Sequence, residues 1–248
     1  MPLYRDEGVV LRTAKLGEAD RIIWLFTRSH GKIRAVAKGV RRARSRFGAR
    51  LEPFMRADVL VSTGRSLDVV AQAETIAAYA DRIVSDYDSY TAANVMVETA
   101  DKVVSAEREP SPVHYRLLVA ALSALARGLH NPACIGDSYV LRALAVAGWS
   151  PRLDSCVVCG GAVDDAQAFF SAAAGGLMCQ ADHTPESRRL HGGVPAQLAA
   201  LSDGDWSVLD ALCGAGGPGL NGQTRHIVEE WGAYYLEHPI RSLRMLHS

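Results

Sequence analysis

Residues 8–38 read GVVLRTAKLGEADRIIWLFTRSHGKIRAVAK and contain three β-rich runs, Gly8–Ala14, Arg21–Thr27 and Lys32–Lys38. The connections between them, Leu16–Asp20 and Ser29–Gly31, are short and turn-like. In the third run Ile33, Ala35 and Ala37 alternate with Lys32, Arg34, Val36 and Lys38, the period of two expected of a half-exposed strand. Two further runs, Ala57–Ser62 and Leu67–Ala73, follow a long basic segment around residues 39–55. Five short strands in the first 80 residues predict a small closed or nearly closed barrel.

From about residue 80 the texture becomes Ala-rich and helical. Helices are expected at Tyr87–Ala106, at Ser111–Gly128 behind the start signal of Pro110 and Pro112, and at Cys134–Ala147. The segment from Trp149 to about Pro195 breaks the pattern and holds three cysteines; helical texture resumes at Pro195–Leu201, Asp205–Cys213 and Gln223–His238. The expected organisation is multidomain α+β, with a barrel at residues 1–80 and a helical domain at 81–150. A zinc-ribbon-like insertion follows at 151–194, and C-terminal helices at 195–248 complete the helical domain.

The chain has 248 residues, 48% hydrophobic and 22% charged, which suits a folded protein with a sizeable core and excludes disordered or collagenous classes. No apolar stretch approaches the ~20 residues of a membrane-spanning helix. The opening MPLYRDEG carries charges where an export signal needs an apolar segment, so a cytoplasmic address is expected. Five cysteines, an odd number with three clustered, suit metal binding or burial better than a disulfide framework; Cys134 and Cys213, on apolar helical faces, read as core thiols.

The formal net charge is zero, yet residues 1–80 hold 15 Lys/Arg against 8 Asp/Glu, and residues 81–248 hold 12 against 19. The imbalance peaks between Asp20 and Glu52, where ten basic residues occur without an acid: Arg21, Arg28, Lys32, Arg34, Lys38, Arg41, Arg42, Arg44, Arg46 and Arg50. Such a run repels itself unless a polyanion is near. Its densest part, KGVRRARSR, has turn-like Gly and Ser rather than a helical stripe, and Arg predominates, whose planar fork binds phosphate bidentately and stacks on bases. A nucleic-acid backbone is the expected partner, against the blander reading of a solvated face.

Cys156-x2-Cys159, followed by Gly160 and Gly161, and Cys179 twenty residues later have the spacing of a structural zinc knuckle. The position in register for a fourth ligand is Asp182, while the adjacent His183 offers the imidazole of Cys3His sites; His183 is preferred, with Asp182 the competitor. One structural zinc ion is therefore expected. A catalytic metal is not, because no H-x-E accompanies the cysteines, and phosphate-loop, nucleophile-elbow, H-E-x-x-H and dinucleotide motifs are absent.

Taken in order, the barrel, helical body and C-x2-C…C insertion resemble the bacterial RecO family of recombination mediators over essentially the whole chain. The residues carrying the resemblance are Gly8-Val9-Val10-Leu11, Gly17-Glu18-Ala19-Asp20-Arg21-Ile22, Gly31-Lys32, and above all Lys38-Gly39-Val40-Arg41-Arg42-Ala43-Arg44-Ser45-Arg46-Phe47-Gly48 leading to Leu51-Glu52-Pro53-Phe54. Asp182 departs from the fourth Cys usual in zinc-bearing members. The resemblance implies an OB-fold at residues 1–80 and a non-enzymatic, nucleoid-associated protein that binds single- and double-stranded DNA. It further implies annealing of complementary strands coated by single-stranded DNA-binding protein (SSB), and help, with RecR, in loading RecA in gap and double-strand-break repair. Candidate phosphate contacts are Arg34, Lys38, Arg41, Arg42, Arg44, Arg46 and Arg50, with Phe47 or Phe54 as base stackers or barrel core. The family also implies capture of the acidic SSB tail by the helical body, for which Arg116, Arg127 and Arg142 stand out. The alternatives are an RNA-binding OB protein or zinc-bearing transcription accessory, and a zinc enzyme whose turnover chelation would abolish.

Overall fold

The computed structural model describes residues 2–214 and 216–247, in two compact units that divide between Arg127 and Gly128. The first unit opens with strands β1 (Leu3–Leu16), β2 (Asp20–Thr27), β3 (Gly31–Ala37), β4 (Arg56–Ser62) and β5 (Asp68–Ala77), closed into a barrel of order β1-β2-β3-β5-β4. Every pairing is antiparallel except β3 with β5, which run parallel through only Ala35↔Asp68 and Val36↔Val69. This five-stranded, partly open closure is the OB-like arrangement. Alternation fills it: Val10, Ile23, Leu25, Ile33 and Ala35 share the inward face in the strand registers and are almost fully buried.

Three helices complete this unit: α1 (Tyr79–Ile83), α2 (Tyr87–Val103) and α3 (Pro112–Ala126). Asp86 caps α2 by accepting the Ser89 N–H, and Pro112 starts α3 at a position where its missing N–H costs nothing. Helix α2 packs on β1, and Tyr115 of α3 meets Phe26 edge to face at 5.8 Å. The chain after α2 extends β3, with Lys32 bridging to Glu107 and the Arg108 N–H donating to the Lys32 carbonyl. At Gly31, with φ +66°, a Cβ would sit 2.0 Å from the Glu109 carbonyl oxygen, so this approach requires glycine.

The second unit holds α4 (Pro132–Val146), α5 (Val194–Asp203), α6 (Trp206–Cys213), α7 (Gly222–Tyr235) and α8 (Leu243–Leu246). Helix α4 is its core, buried over ten of fifteen residues and packed against α5 and α7. A three-stranded sheet of order β7-β6-β8 is built from β6 (Phe169–Ser171), β7 (Gly176–Met178) and β8 (Arg188–Arg189). The helical residues expected as one body are thus shared between the two units, because α1–α3 pack with the barrel. Cys134 and Cys213 are joined by their sulfurs as a disulfide and are not separate core thiols, since the start of α4 and the end of α6 bring them together. Among the described residues no helix is long and apolar enough to cross a membrane.

Candidate nucleic-acid interface and metal centre

The basic segment leaves β3 at Lys38 and runs to a single 3-10 turn, Gly48–Leu51, before β4. Three apolar residues, Val40, Phe47 and Leu51, are buried and pin it to the barrel. Backbone bonds fix it as well: the Gly39 N–H donates to the Asp20 carboxylate at 2.7 Å, and the Arg41 N–H to the Ala19 carbonyl at 3.0 Å. Its cations face outward, for Lys38, Arg41, Arg42, Arg44, Arg46 and Arg50 are all exposed.

None of these six has a carboxylate within ion-pair distance among the described residues. Arg41 instead donates to the Gly17 and Glu18 carbonyls of the β1–β2 turn, and Arg50 to the Arg46 and Phe47 carbonyls. Arg46 lies over the Phe47 ring at 4.8 Å. These contacts orient the guanidinium groups without cancelling their charge, so the segment presents a positive field. Arg46 and Arg50 also line a cleft of about 390 Å³ against Ala71–Glu74 of β5.

Arg34 differs from the other six. It is exposed on β3, but its Nε lies 2.6 Å from the Glu107 carboxylate, so its charge is already answered by a residue far along the chain. Nearby, the Lys32 ammonium is 2.9 Å from Asp101, whose other oxygen accepts from Arg12 at 2.8 Å. Burial alone would raise the Asp101 carboxyl, but Lys32 and Arg12 outweigh it and hold the group below the usual carboxylate range. Local sequence gives no sign of these partners, which lie 69 or more residues away from the cations.

Phe47 and Phe54 do not stack bases. They are 1% and 2% exposed, the first anchoring the basic segment and the second packed edge to face on Tyr90. Of the residues considered for an acidic tail, Arg116 and Arg127 are exposed at α3 and its C-cap, about 16 Å apart at 1.5 Å per residue. Arg142 belongs to α4 in the other unit, half-buried beside Gly204.

In the second unit Cys156, Cys159, Cys179 and Asp182 bring their ligand atoms within 4.8 Å of one another. Asp182 Oδ2 lies 3.3 Å from Cys156 Sγ and 3.1 Å from Cys179 Sγ. His183 is not in the group: its Nδ1 is 2.8 Å from the Gln180 carbonyl and its ring stacks on Phe169 at 4.1 Å. The turn that carries Cys179 spends its next inward position on residue 182, which sends residue 183 outward. The first turn closes through Gly160, at φ +72°, with the Gly160 N–H bonded to the Cys156 carbonyl and the Cys156 N–H to Gly161. The Asp182 carboxylate pushes the Cys159 thiol up to about 12, while backbone N–H groups, outweighing desolvation, hold Cys156 below its usual range. Three thiols and a carboxylate at this separation are a donor set that could hold a metal ion, and the chemistry of soft sulfur suits zinc.

Three other histidines have carboxylate partners: His30 pairs with Asp6, His130 with Asp210 and His247 with Asp137.

Comparison with known proteins agrees with this architecture. The family model described as "Recombination protein O N terminal" matches residues 1–79, and "Recombination protein O C terminal" matches residues 84–244. "DNA repair protein RecO" of Bifidobacterium adolescentis is 62% identical over 247 residues, covering 99% of this chain and all of that protein. The protein of that name from Bifidobacterium longum is 62% identical over the full length of both chains. Those from Nocardioides and Thermobifida fusca are each 46% identical, over 97% and 99% of this chain and 98% and 99% of theirs. With an OB-like barrel, two matching halves and full-length relatives of one name, this chain belongs to the RecO family of DNA repair proteins.

Proposed function

We propose that this protein works by binding, without covalent chemistry, as a DNA recombination mediator. Six exposed cations on one ordered segment of an OB-like barrel, none in an ion pair among the described residues, support this reading above all else. Lys38, Arg41, Arg42, Arg44, Arg46 and Arg50 hold the sugar-phosphate chains of single- and double-stranded DNA; Arg34 contributes only when phosphate displaces Glu107. Annealing follows from the same surface. Two strands repel through their phosphates, and a shared positive face lowers that repulsion while leaving base edges free to pair.

The partners in this reading are RecR, the SSB tail and, indirectly, RecA, in a cytoplasmic and nucleoid-associated setting. Arg116, Arg127 and Arg142 are the candidate cations for the acidic SSB tail. Cys156, Cys159, Cys179 and Asp182 hold one structural zinc ion that ties the turn before β6 to the turn after β7.

The test is annealing of complementary strands coated with SSB, run beside competition between single-stranded DNA and RNA of the same sequence. Acceleration over the uncatalysed reaction and preference for DNA support the reading. Preference for RNA without annealing turns it toward an RNA-binding barrel.

A further inference from the structure

With Phe47 and Phe54 sealed in the core, the interface described above lacks an aromatic base contact. Four tyrosine or tryptophan side chains of the first unit reach its surface: Tyr4, Trp24, Tyr87 and Tyr90. Tyr4 is taken up locally, its ring on His30 at 4.3 Å and its hydroxyl donating to Asp68 at 2.8 Å. Tyr87 and Tyr90 are well exposed, but residues 81–90 hold Asp81, Asp86 and Asp88 against Arg82 alone, a field that repels phosphates.

Trp24 has different surroundings. On β2 the side chains of Ile23 and Leu25 are wholly buried inside the barrel, so Trp24 projects from its outer face. In the strand registers Arg12 of β1 and Arg34 of β3 stand directly opposite Trp24 on its two sides, placing Arg12, Trp24 and Arg34 in one row across three strands. The Arg12 guanidinium lies 3.7 Å from the centre of the indole ring, and its Nε is held by Asp101 at 2.8 Å, which fixes its plane. Its side chain nevertheless remains half-exposed. Asp20, four residues before Trp24 on the same strand, anchors the basic segment through Gly39. The row is therefore about 13 Å from the base of that segment, within the few nucleotides that one OB-fold spans.

We propose that the Arg12–Trp24 layer is the base-stacking platform of this barrel. It takes one unpaired base of single-stranded DNA while the arginines of residues 38–50 hold the flanking phosphates. Because Arg12 is paired with Asp101 and Arg34 with Glu107, the platform adds recognition of an unpaired base more than affinity for the backbone. The proposal rests on the nucleic-acid-binding reading above and assigns that site its preference for single strands.

The full-length protein and its W24A and W24F variants are compared by fluorescence anisotropy on oligothymidylate, an abasic strand of equal length and a duplex. Thermal melting is recorded for all three proteins. The unsubstituted protein should bind oligothymidylate more tightly than the abasic strand. W24A should lose about 5- to 150-fold on oligothymidylate, with the abasic strand and the duplex unaffected, and W24F should keep most of the preference. Oligothymidylate should also quench tryptophan emission in the unsubstituted protein but not in W24F, whose remaining tryptophans lie in the second unit. This readout stands even if W24A fails to fold. An unchanged ratio of oligothymidylate to abasic binding in W24A, or quenching that persists in W24F, overturns the platform and leaves the phosphate-binding segment intact. Absence of binding to all three ligands by the unsubstituted protein overturns both.

Discussion

Arg42 and Arg44 are the cleanest places to ask whether the exposed segment holds phosphate. Both are solvent-exposed, and among the described residues neither side chain makes a hydrogen bond or ion pair that holds the fold, unlike those of Arg41 and Arg50, which brace backbone carbonyls. If all six unneutralised cations meet phosphates, the logarithm of the single-strand binding constant should fall with the logarithm of salt concentration at a slope of about −4. Affinity then drops roughly 300-fold between 50 and 200 mM salt. Removing two contacts in R42Q/R44Q should bring the slope to about −3 and the loss to roughly 50-fold, with an unchanged melting temperature. R34Q is the internal control. Arg34 is already paired with Glu107, so its loss should leave the slope nearly as it was. Anisotropy titrations at four or five salt concentrations measure all three proteins. A slope in R42Q/R44Q equal to that of the unsubstituted protein refutes the placement of phosphate on this segment. A larger slope change in R34Q than in R42Q/R44Q moves the interface onto the β3 face.

Metal content should report the fourth ligand directly: the purified protein should carry about one zinc ion per chain by elemental analysis. C156S and D182A should lose it, D182C should keep it, and H183A should be indistinguishable from the unsubstituted protein, whereas retention in D182A with loss in H183A would reverse the assignment. D101A strands the Lys32 ammonium, only 8% exposed, and should cost about 3 kcal/mol, lowering the melting temperature by roughly 6–12 °C. The Asp101 carboxyl is held below its usual value, so its contribution to stability is present above pH ~4 and lost as pH falls through its folded-state value. The stability deficit of D101N relative to the unsubstituted protein should accordingly be full above pH ~4 and shrink as pH falls through the folded-state value of Asp101, as read by melting temperature against pH. G31A should destabilise this unit by more than about 2 kcal/mol, since it demands both a left-handed backbone and displacement of Glu109; a variant melting normally would show that the 104–111 segment detaches without cost.

The strands of the barrel were legible because alternation is a local signal: Ile33, Ala35 and Ala37 announce an inward face whatever lies elsewhere. Helix α1 was not, because five residues give barely more than one turn of periodicity. The basic run could be read from the absence of acids nearby, yet the state of each cation depends on carboxylates far away, and only the fold reveals that Arg34 is answered while Arg42 is open. Phe47 and Phe54 show the same gap, since an aromatic among arginines or after proline reads equally as ligand contact or plug. Trp24 could have been found from the alternation of Ile23 and Leu25 about it, which already places it outside. At the cysteines the spacing gave three ligands and narrowed the fourth to two neighbours; choosing between them required the course of one turn, which no spacing rule supplies.

Division of the chain after Arg127 determines where it can be cut. Severed at residue 80, the barrel would lose Tyr115 from over Phe26 and the 107–109 stretch from alongside β3. That leaves a bare apolar patch next to an open strand edge, the combination that drives sheet-to-sheet aggregation. The smallest fragment of the front half expected to stay monomeric therefore ends near Arg127 and includes all three of its helices.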